Sequence, residues 1–412
     1  MGTLTSVNDD LSGLLAAAES AAPAQAVAVI ARRLRERFEA VDVSFLLVDL
    51  TGRVAARLSA QTPNGGYREV ERIRMADTGF EQVIRTQQPL HESTGDRNRV
   101  IAPVTNRGDV IGVLEVELPP GRGDEVMATI AEAAHVLAYV VIANRRFTDL
   151  YTWGRYPGPP SLSALIQYQL LPSALSCEAA QFALCGNLEP SEEISGDSFD
   201  YTVDRDALYM SITDPMGHDL QAALSATVLV AALRGARQMG AGVGEQARQA
   251  DMALRNHLES HATGLLARID LESGRGELVV AGHPLPLLMR DATIRELSFE
   301  VDPPFGLPMA ARRPFRVQEF TLRPGDRLVM VTDGMLERDA ATVDLVALLR
   351  DTRHLHPRET ALALTTAVLE ASGGRLQDDV TAMCLDWHGG HRTERRDAET
   401  GADTGRASEG RR

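Results

Sequence analysis

The sequence predicts an α+β protein of two domains. Three observations predict it: a length of 412 residues, apolar runs of alternating and helical spacing along most of the chain, and turn residues that split those runs into hairpins. A chain this long exceeds one ordinary core, and each half can bury its own. Hydrophobic content of 44% against 24% charged residues is that of a folded protein, and aromatics at 5% are sparse without marking disorder.

Residues 1–22 read as a polar, then small-residue leader. From Pro23 to Phe38, PAQAVAVIARRLRERF sets Ala, Val, Ile and Leu at helical spacing, with arginines gathered near the end where the helix dipole favours them. VDVSFLLVDL and RVAARLSAQ follow around a Thr51-Gly52 turn, then a helical TGFEQVIRTQ. RVIAPVTNRGDVIGVLEVEL gives two strands joined by Asn106-Arg107-Gly108-Asp109. This order predicts a mixed sheet flanked by helices over 23–122. Residues 123–151 read as one long connector helix, and Gly154 to Pro160 as a hinge, placing the boundary at 123–163. A second domain runs over 164–388, and the tail 389–412, almost without apolar residues, reads as disordered.

The net charge is −15, and all 42 basic side chains are arginine. Such a field disfavours nucleic acid and anionic membranes and suits divalent cations. Cys177, Cys185 and Cys384 form no CxxC pair and read as reduced, buried thiols of a cytoplasmic protein. The N-terminal stretch has no basic region leading into an apolar one, and no apolar stretch reaches spanning length, so export and membrane insertion are not expected.

Four aspartates of the second half stand at strand ends or tight turns. Asp197 lies in EEISGDSFDY after Gly196, Asp214 follows the strand-like ALYMSIT, Asp333 ends the strand of RLVMVTDGMLE, and Asp378 precedes the strand of QDDVTAMCL. Any one of them alone reads as a turn-former or helix cap. Four such sites can converge.

Two resemblances sharpen this reading. PVTNRGDVIGVLEVEL resembles a hairpin of the GAF domains, which implies a GAF-like sensor over 23–122. An unrelated sheet-and-helix pairing domain is the alternative. No cofactor is expected there, since His91 and His135 are that domain's only histidines. From about 165 to 387 the chain resembles the SpoIIE/RsbU-like branch of the PPM-type phosphatases. The resemblance rests on ALIQYQLLP, EISGDSFDY, DPMGHDLQAAL, LLARIDLESGRGELVVAGHPLPLL, LRPGDRLVMVTDGMLE and QDDVTAMCL, in that order. It implies an α/β/β/α sandwich in which Asp214, Asp333 and Asp378 ligate two Mn2+ or Mg2+ ions, joined by the backbone carbonyl of Pro215, with Asp197 adjacent or water-mediated. Two such ions lower the pKa of a bridging water and neutralise charge on the phosphoryl oxygens.

The implied activity is hydrolysis of phosphoserine or phosphothreonine on an anti-sigma-factor antagonist of the STAS type, gated by the first domain in a homodimer. Ser195, Pro215 and Asp219 depart from the family pattern without removing a ligand. His218 reads as an acid for the leaving oxygen or as an organiser of the Asp214 loop, and His283 as the former or as a turn stabiliser. Asp379 and Glu337 read as hydrogen-bond acceptors behind the ligands. Asp219 is placed to cap the helix of QAALSATVLVAALRGA, which is apolar enough to be largely buried. The alternative function is a catalytically weak scaffold of the same fold. Metal-dependent turnover separates the two.

Overall fold

The structure is a computed structural model describing residues 13–59, 71–95, 97–191, 196–258, 260–308, 313–390 and 401–408, without the side chains of Ser59, Asp219, His257 and Arg338. The chain divides into two compact units, Met1–Pro159 with Arg395–Arg412, and Pro160–Glu394.

In the first unit, helical residues 13–20 (α1) precede α2 (Ala26–Phe38). A six-stranded sheet of order β3-β2-β1-β6-β5-β4 follows, built from β1 (Asp42–Val48), β2 (Val54–Ser59), β3 (Arg72–Arg74), β4 (Leu90–Thr94), β5 (Arg97–Asn106) and β6 (Asp109–Glu117). The expectation was a mixed sheet, but the pairings are all antiparallel, because short turns join most sequential strands. The β5–β6 hairpin turns on Arg107 and Gly108, both at positive φ (48° and 77°), the geometry that matches strand twist. α3 (Gly79–Thr86) is capped by the Thr78 hydroxyl and packs Phe80 and Val83 on one face of the sheet, against Leu46, Ile101 and Val113.

The helix expected as a connector belongs to this core. α4 (Met127–Asn144) buries Ile130, Ala133, Leu137 and Val141 against Val100, Ala102 and Leu114 on the other face, together with α2. Against the expectation that no apolar stretch reaches spanning length, its mean hydropathy of 1.4 over 18 residues is enough by length and composition to cross a membrane. This core buries 39% of that window, and Leu137→Ala there costs about 2–5 kcal/mol. α4 does not run on to residue 151: apolar spacing ends at Ile142, and Asn144, Thr148 and Asp149 are poor helix formers, so α5 (Leu150–Trp153) is separate. The tail also differs from expectation. Residues 401–408 are ordered within the first unit, with Ala402 and Asp403 buried and Gly401 O accepting from Gly108 N at 3.0 Å. Residues 391–400 lie outside the described residues.

The second unit begins with α6 (Leu162–Leu170), capped by Ser161. One sheet, β15-β12-β11-β10-β9, uses β9 (Ser198–Val203), β10 (Ala207–Pro215), β11 (Ala262–Asp270), β12 (Arg275–Ala281) and β15 (Gln318–Thr321). The other, β14-β13-β16-β17-β8-β7, uses β7 (Ser176–Glu178), β8 (Phe182–Glu189), β13 (Leu287–Arg290), β14 (Thr293–Glu296), β16 (Arg327–Val331) and β17 (Val380–Trp387). Strand alternation places each strand's residues in two cores. Leu265, Leu278, Leu328 and Met383 meet between the sheets. Leu266 and Val279 face α7 (Asp219–Gln238) and α8 (Val243–His257), while Val329 and Ala382 face α9 (Leu345–Asp351) and α10 (Pro357–Ala371). The layers are therefore α/β/β/α. In the turn of the β11–β12 hairpin Ser273 N and Oγ both donate to Asp270 Oδ1.

α7 corrects two expectations. His218, not Asp219, is its N-cap, so Asp219 is already the first helical residue. Only one stripe of α7 (Ala222, Ala226, Leu229, Leu233) is buried, because a helix lying on a sheet covers it with one face, and Leu220 and Leu224 stay exposed.

Candidate metal and phosphoryl site

The sandwich gathers aspartates that lie far apart in sequence. Asp214 is the penultimate residue of β10, which pairs with Ala262–Asp270, and Pro215 ends that strand, buried, opposite Ala262. Asp333 follows β16 in a single 3-10 turn, and Asp378 lies just before β17, the direct neighbour of β16. Residues from the two facing sheets thus share one neighbourhood.

Electrostatics show that closeness. Burial raises the Asp214 carboxyl well above the usual carboxylate range, and repulsion from Asp333, then Asp378 and Asp379, adds to it. Asp333 is raised by burial, then by Asp378 and Glu337. After burial the largest influences on both are other acids; the Thr263 hydroxyl on Asp214 and the Gly334 N–H on Asp333 pull the other way, and no cation stands among the leading influences on either. A set of hard oxygen donors that repel one another in the absence of a counter-charge has the chemistry to take a divalent cation. As placed, however, no three His, Cys, Asp or Glu side chains among the described residues close into a metal-holding group.

Asp197 sits one layer deeper. It is buried, and its Oδ2 accepts from the hydroxyls of Thr332 at 2.8 Å and Thr381 at 2.6 Å. Thr381 N donates in turn to Thr332 Oγ1 at 3.1 Å, which fixes the direction of that hydroxyl. Burial, then Asp214 and Asp379, pushes the Asp197 carboxyl up, while the two hydroxyls pull the other way. These threonines hold one oxygen of Asp197 in place.

Asp379 is an anchor. Oδ1 accepts from Ser191 N (2.8 Å) and Ser191 Oγ (3.0 Å). Oδ2 accepts from Gln167 Nε2 (2.5 Å), Gly196 N (3.0 Å) and Asp197 N (3.3 Å). Gln167 Nε2 also donates to Asp197 O at 2.9 Å, so α6, the Asp197 loop and β17 close on one carboxylate. Two glycines are required by approach distance. Gly196 sits at φ 92° with a Cβ position 3.0 Å from Ala222 of α7, and a Cβ on Gly334 would run into Asp379 O.

The other candidates fall differently. His218 is exposed at the start of α7, just beyond the Asp214 loop. His283 is buried, donates Nδ1–H to Pro284 O at 3.1 Å and is pushed down to about 4 by burial, which places it in the strand-end turn. Glu337 is exposed and acts on Asp333 by repulsion. Ser195 and the Asp219 side chain lie outside the described residues. Sequence reading missed Thr332, Thr381, Ser191 and the role of Gln167. Thr332 adjoins Asp333 and Thr381 stands two residues after Asp379, and that nearness to the motifs was the available signal.

Residues 204–388 match the family model described as Stage II sporulation protein E (SpoIIE). The phosphoserine phosphatase RsbP of Bacillus subtilis (strain 168) is 28% identical over 188 residues, covering 43% of this chain and 44% of RsbP. The chain thus spans under half the length of that curated relative. Among solved structures, the RsbU and RsbW domains of Rv1364c from Mycobacterium tuberculosis are 25% identical with a TM-score of 0.47, covering 53% of this chain and 63% of that one. RsbX in complex with magnesium is 17% identical with a TM-score of 0.42, covering 52% and 98%.

Proposed function

From a C-terminal unit that carries a SpoIIE-family domain of the PPM phosphatases, we propose that this protein is a Mn2+- or Mg2+-dependent phosphatase of phosphoserine and phosphothreonine in a second protein. One observation carries the reading. Asp214, Asp333 and Asp378 are half-buried and act on one another as acids, a donor set with the chemistry to hold divalent cations. The match to RsbP, a phosphoserine phosphatase by name, supports it.

In this reading Asp214, Asp333 and Asp378, with the Pro215 carbonyl, hold the cations, and Asp197 lies adjacent. The bound ions supply an activated water and charge neutralisation. Thr332 and Thr381 keep Asp197 aimed, and Asp379 with Gln167 sets the loop that carries it. His218, exposed beside the Asp214 loop, is positioned to meet a leaving oxygen. The substrate is a phosphorylated STAS-type antagonist of an anti-sigma factor, in a cytoplasmic partner-switching pathway. The first unit, GAF-like in its sheet with helices on both faces, gates turnover and pairs two copies.

The test is hydrolysis of a phosphopeptide with and without Mn2+. Wild type turns over only with metal, and Asp214→Ala and Asp333→Ala abolish it. Turnover that is absent, or indifferent to metal, sinks the proposal. A second reading, a scaffold without turnover, is favoured by the carboxylates not closing into a metal-holding group, and a silent wild type selects it.

A further inference from the structure

His91, on β4 of the first unit, is gripped at both ring nitrogens. Nε2 lies 2.8 Å from Asn98 Oδ1, and Nδ1 lies 2.8 Å from Asp124 Oδ1. The partners decide where the protons are. Asn98 Nδ2 donates to Pro119 O at 2.5 Å and to Arg122 O at 2.9 Å. Flipping that amide would set its oxygen against two carbonyl oxygens, so Oδ1 faces the ring as an acceptor. Asp124 is a carboxylate and only accepts. Two acceptors demand two N–H donors, and an imidazole carries two only as imidazolium.

The segment so held is the start of α4. Val126 N and Met127 N both donate to Gly123 O, at 3.1 and 3.0 Å, and a Cβ on Gly123 would run into the imidazole. The 119–124 segment therefore lies flush on the ring. We propose that His91 is a charged latch: protonated, it ties the root of α4 to β4 and β5, and on losing its proton it lets that root loosen. α4 is the long helix that precedes, in sequence, the passage into the second unit.

The charged groups around the ring are accounted for on each element. Asp124, on the segment before α4, faces Nδ1. Glu92, next on β4, is held by Arg99 Nη2 at 2.6 Å, and the β5 residue opposite His91 is Val100. Arg122 is held by Glu39 at 3.2 Å and Glu125 at 3.0 Å. The hydrogen bond to Asn98 and then Asp124 raise the ring above the ordinary histidine value, and the site thus keeps its proton where a free histidine sheds it. The sign follows. The latch is complete below pH ~6.5 and is lost as pH rises through the raised value. A neutral ring keeps one N–H, and if that is Nε2–H, a bare nitrogen then faces the Asp124 carboxylate.

The experiment uses the full chain: ring 15N shifts by NMR, with His91 assigned through His91→Gln, and hydrogen exchange at Val126 and Met127 corrected for the intrinsic pH effect. At pH 6 both His91 nitrogens carry protons, and the ring titrates above 6.5. Protection at Met127 drops about three- to tenfold across that titration, the size of one partly exposed charged hydrogen bond. Asp124→Asn, an exposed change that leaves the fold intact, lowers the titration point and flattens the exchange profile. A singly protonated ring at pH 6, titration at or below 6.5, or wild-type and Asp124→Asn exchange profiles that coincide overturns the latch.

Discussion

Glu115 in the first unit and Asp214 in the second are both carboxylates at strand positions, the first buried and the second half-buried, yet their surroundings are opposite. Glu115 lies between two guanidiniums: Arg57 reaches one oxygen and Arg99 the other, and Arg99 stacks on Phe80 at 5.0 Å. Asp214 has Asp333, Asp378 and Asp379 as its strongest neighbours. Taking a charge out of water costs several kcal/mol unless it is compensated. The first unit compensates from within its own chain. The second leaves a deficit of positive charge in one place, and that deficit, more than the presence of aspartate, distinguishes a candidate cation site from a structural ion pair.

The sharpest way to break this comparison is Asp214→Asn. It removes one negative charge without changing shape, and metal-dependent turnover should fall about 1000-fold, equivalent to ~4 kcal/mol. Metal-free protein should become more stable, since a repelled buried charge has gone. Paired kinetics and thermal melts check both signs, and a metal-free protein that is destabilised would mean that Asp214 has a hidden cationic partner.

Glu115→Ala should do the reverse, destabilising by about 3–4 kcal/mol by denaturant melt, because the buried Arg99 and the half-buried Arg57 lose their shared acceptor. Glu71 and Glu92 still contact those arginines at 2.8 and 2.6 Å, which keeps the loss at the low end of the range. A loss under about 1 kcal/mol would refute the compensation argument.

His283 gives a third case, a buried base whose nearest polar contact is a single carbonyl. Its folded pKa of about 4 lies below the unfolded value, so stability is unaffected above pH ~6.5 and falls by up to about 3 kcal/mol as pH drops toward 4. Melts of wild type and His283→Gln should diverge only in that window. A constant difference across pH would assign the effect to packing.

The smallest expected effect is at Thr332. Thr332→Val keeps the shape but removes one of the two hydroxyls on Asp197 Oδ2, and should cost about 1–2 kcal/mol. Thr332→Ser should restore both stability and the metal concentration needed for half-maximal turnover. Failure of serine to restore the metal response would show that the hydroxyl does not position Asp197.

Much of the fold was legible in local pattern. The Arg107-Gly108 hairpin and α2 stand where spacing and turn chemistry put them. α4 was legible as a helix but not as part of a core. Its apolar residues specify burial without specifying what buries them, and the sheet face of Val100, Ala102 and Leu114 decides that. α7 was read as largely buried because composition does not record that a helix on a sheet hides a single stripe. At the site, Asp214, Asp333 and Asp378 were legible because they stand at strand ends in recurring motifs. The Thr332–Thr381 clasp was not, since its two hydroxyls meet only when β16 and β17 pair.

By itself the sequence determined the periodicities, the turns and the carboxylate donors, because these depend on neighbours within a few residues. Tertiary structure alone decided which carboxylates are compensated. Arg57 and Glu115 are 58 residues apart, and Gln167 and Asp379 are 212 apart. The physical reason is that the cost of a buried charge is set by the groups within a few ångströms of it in space, and chain order does not list them.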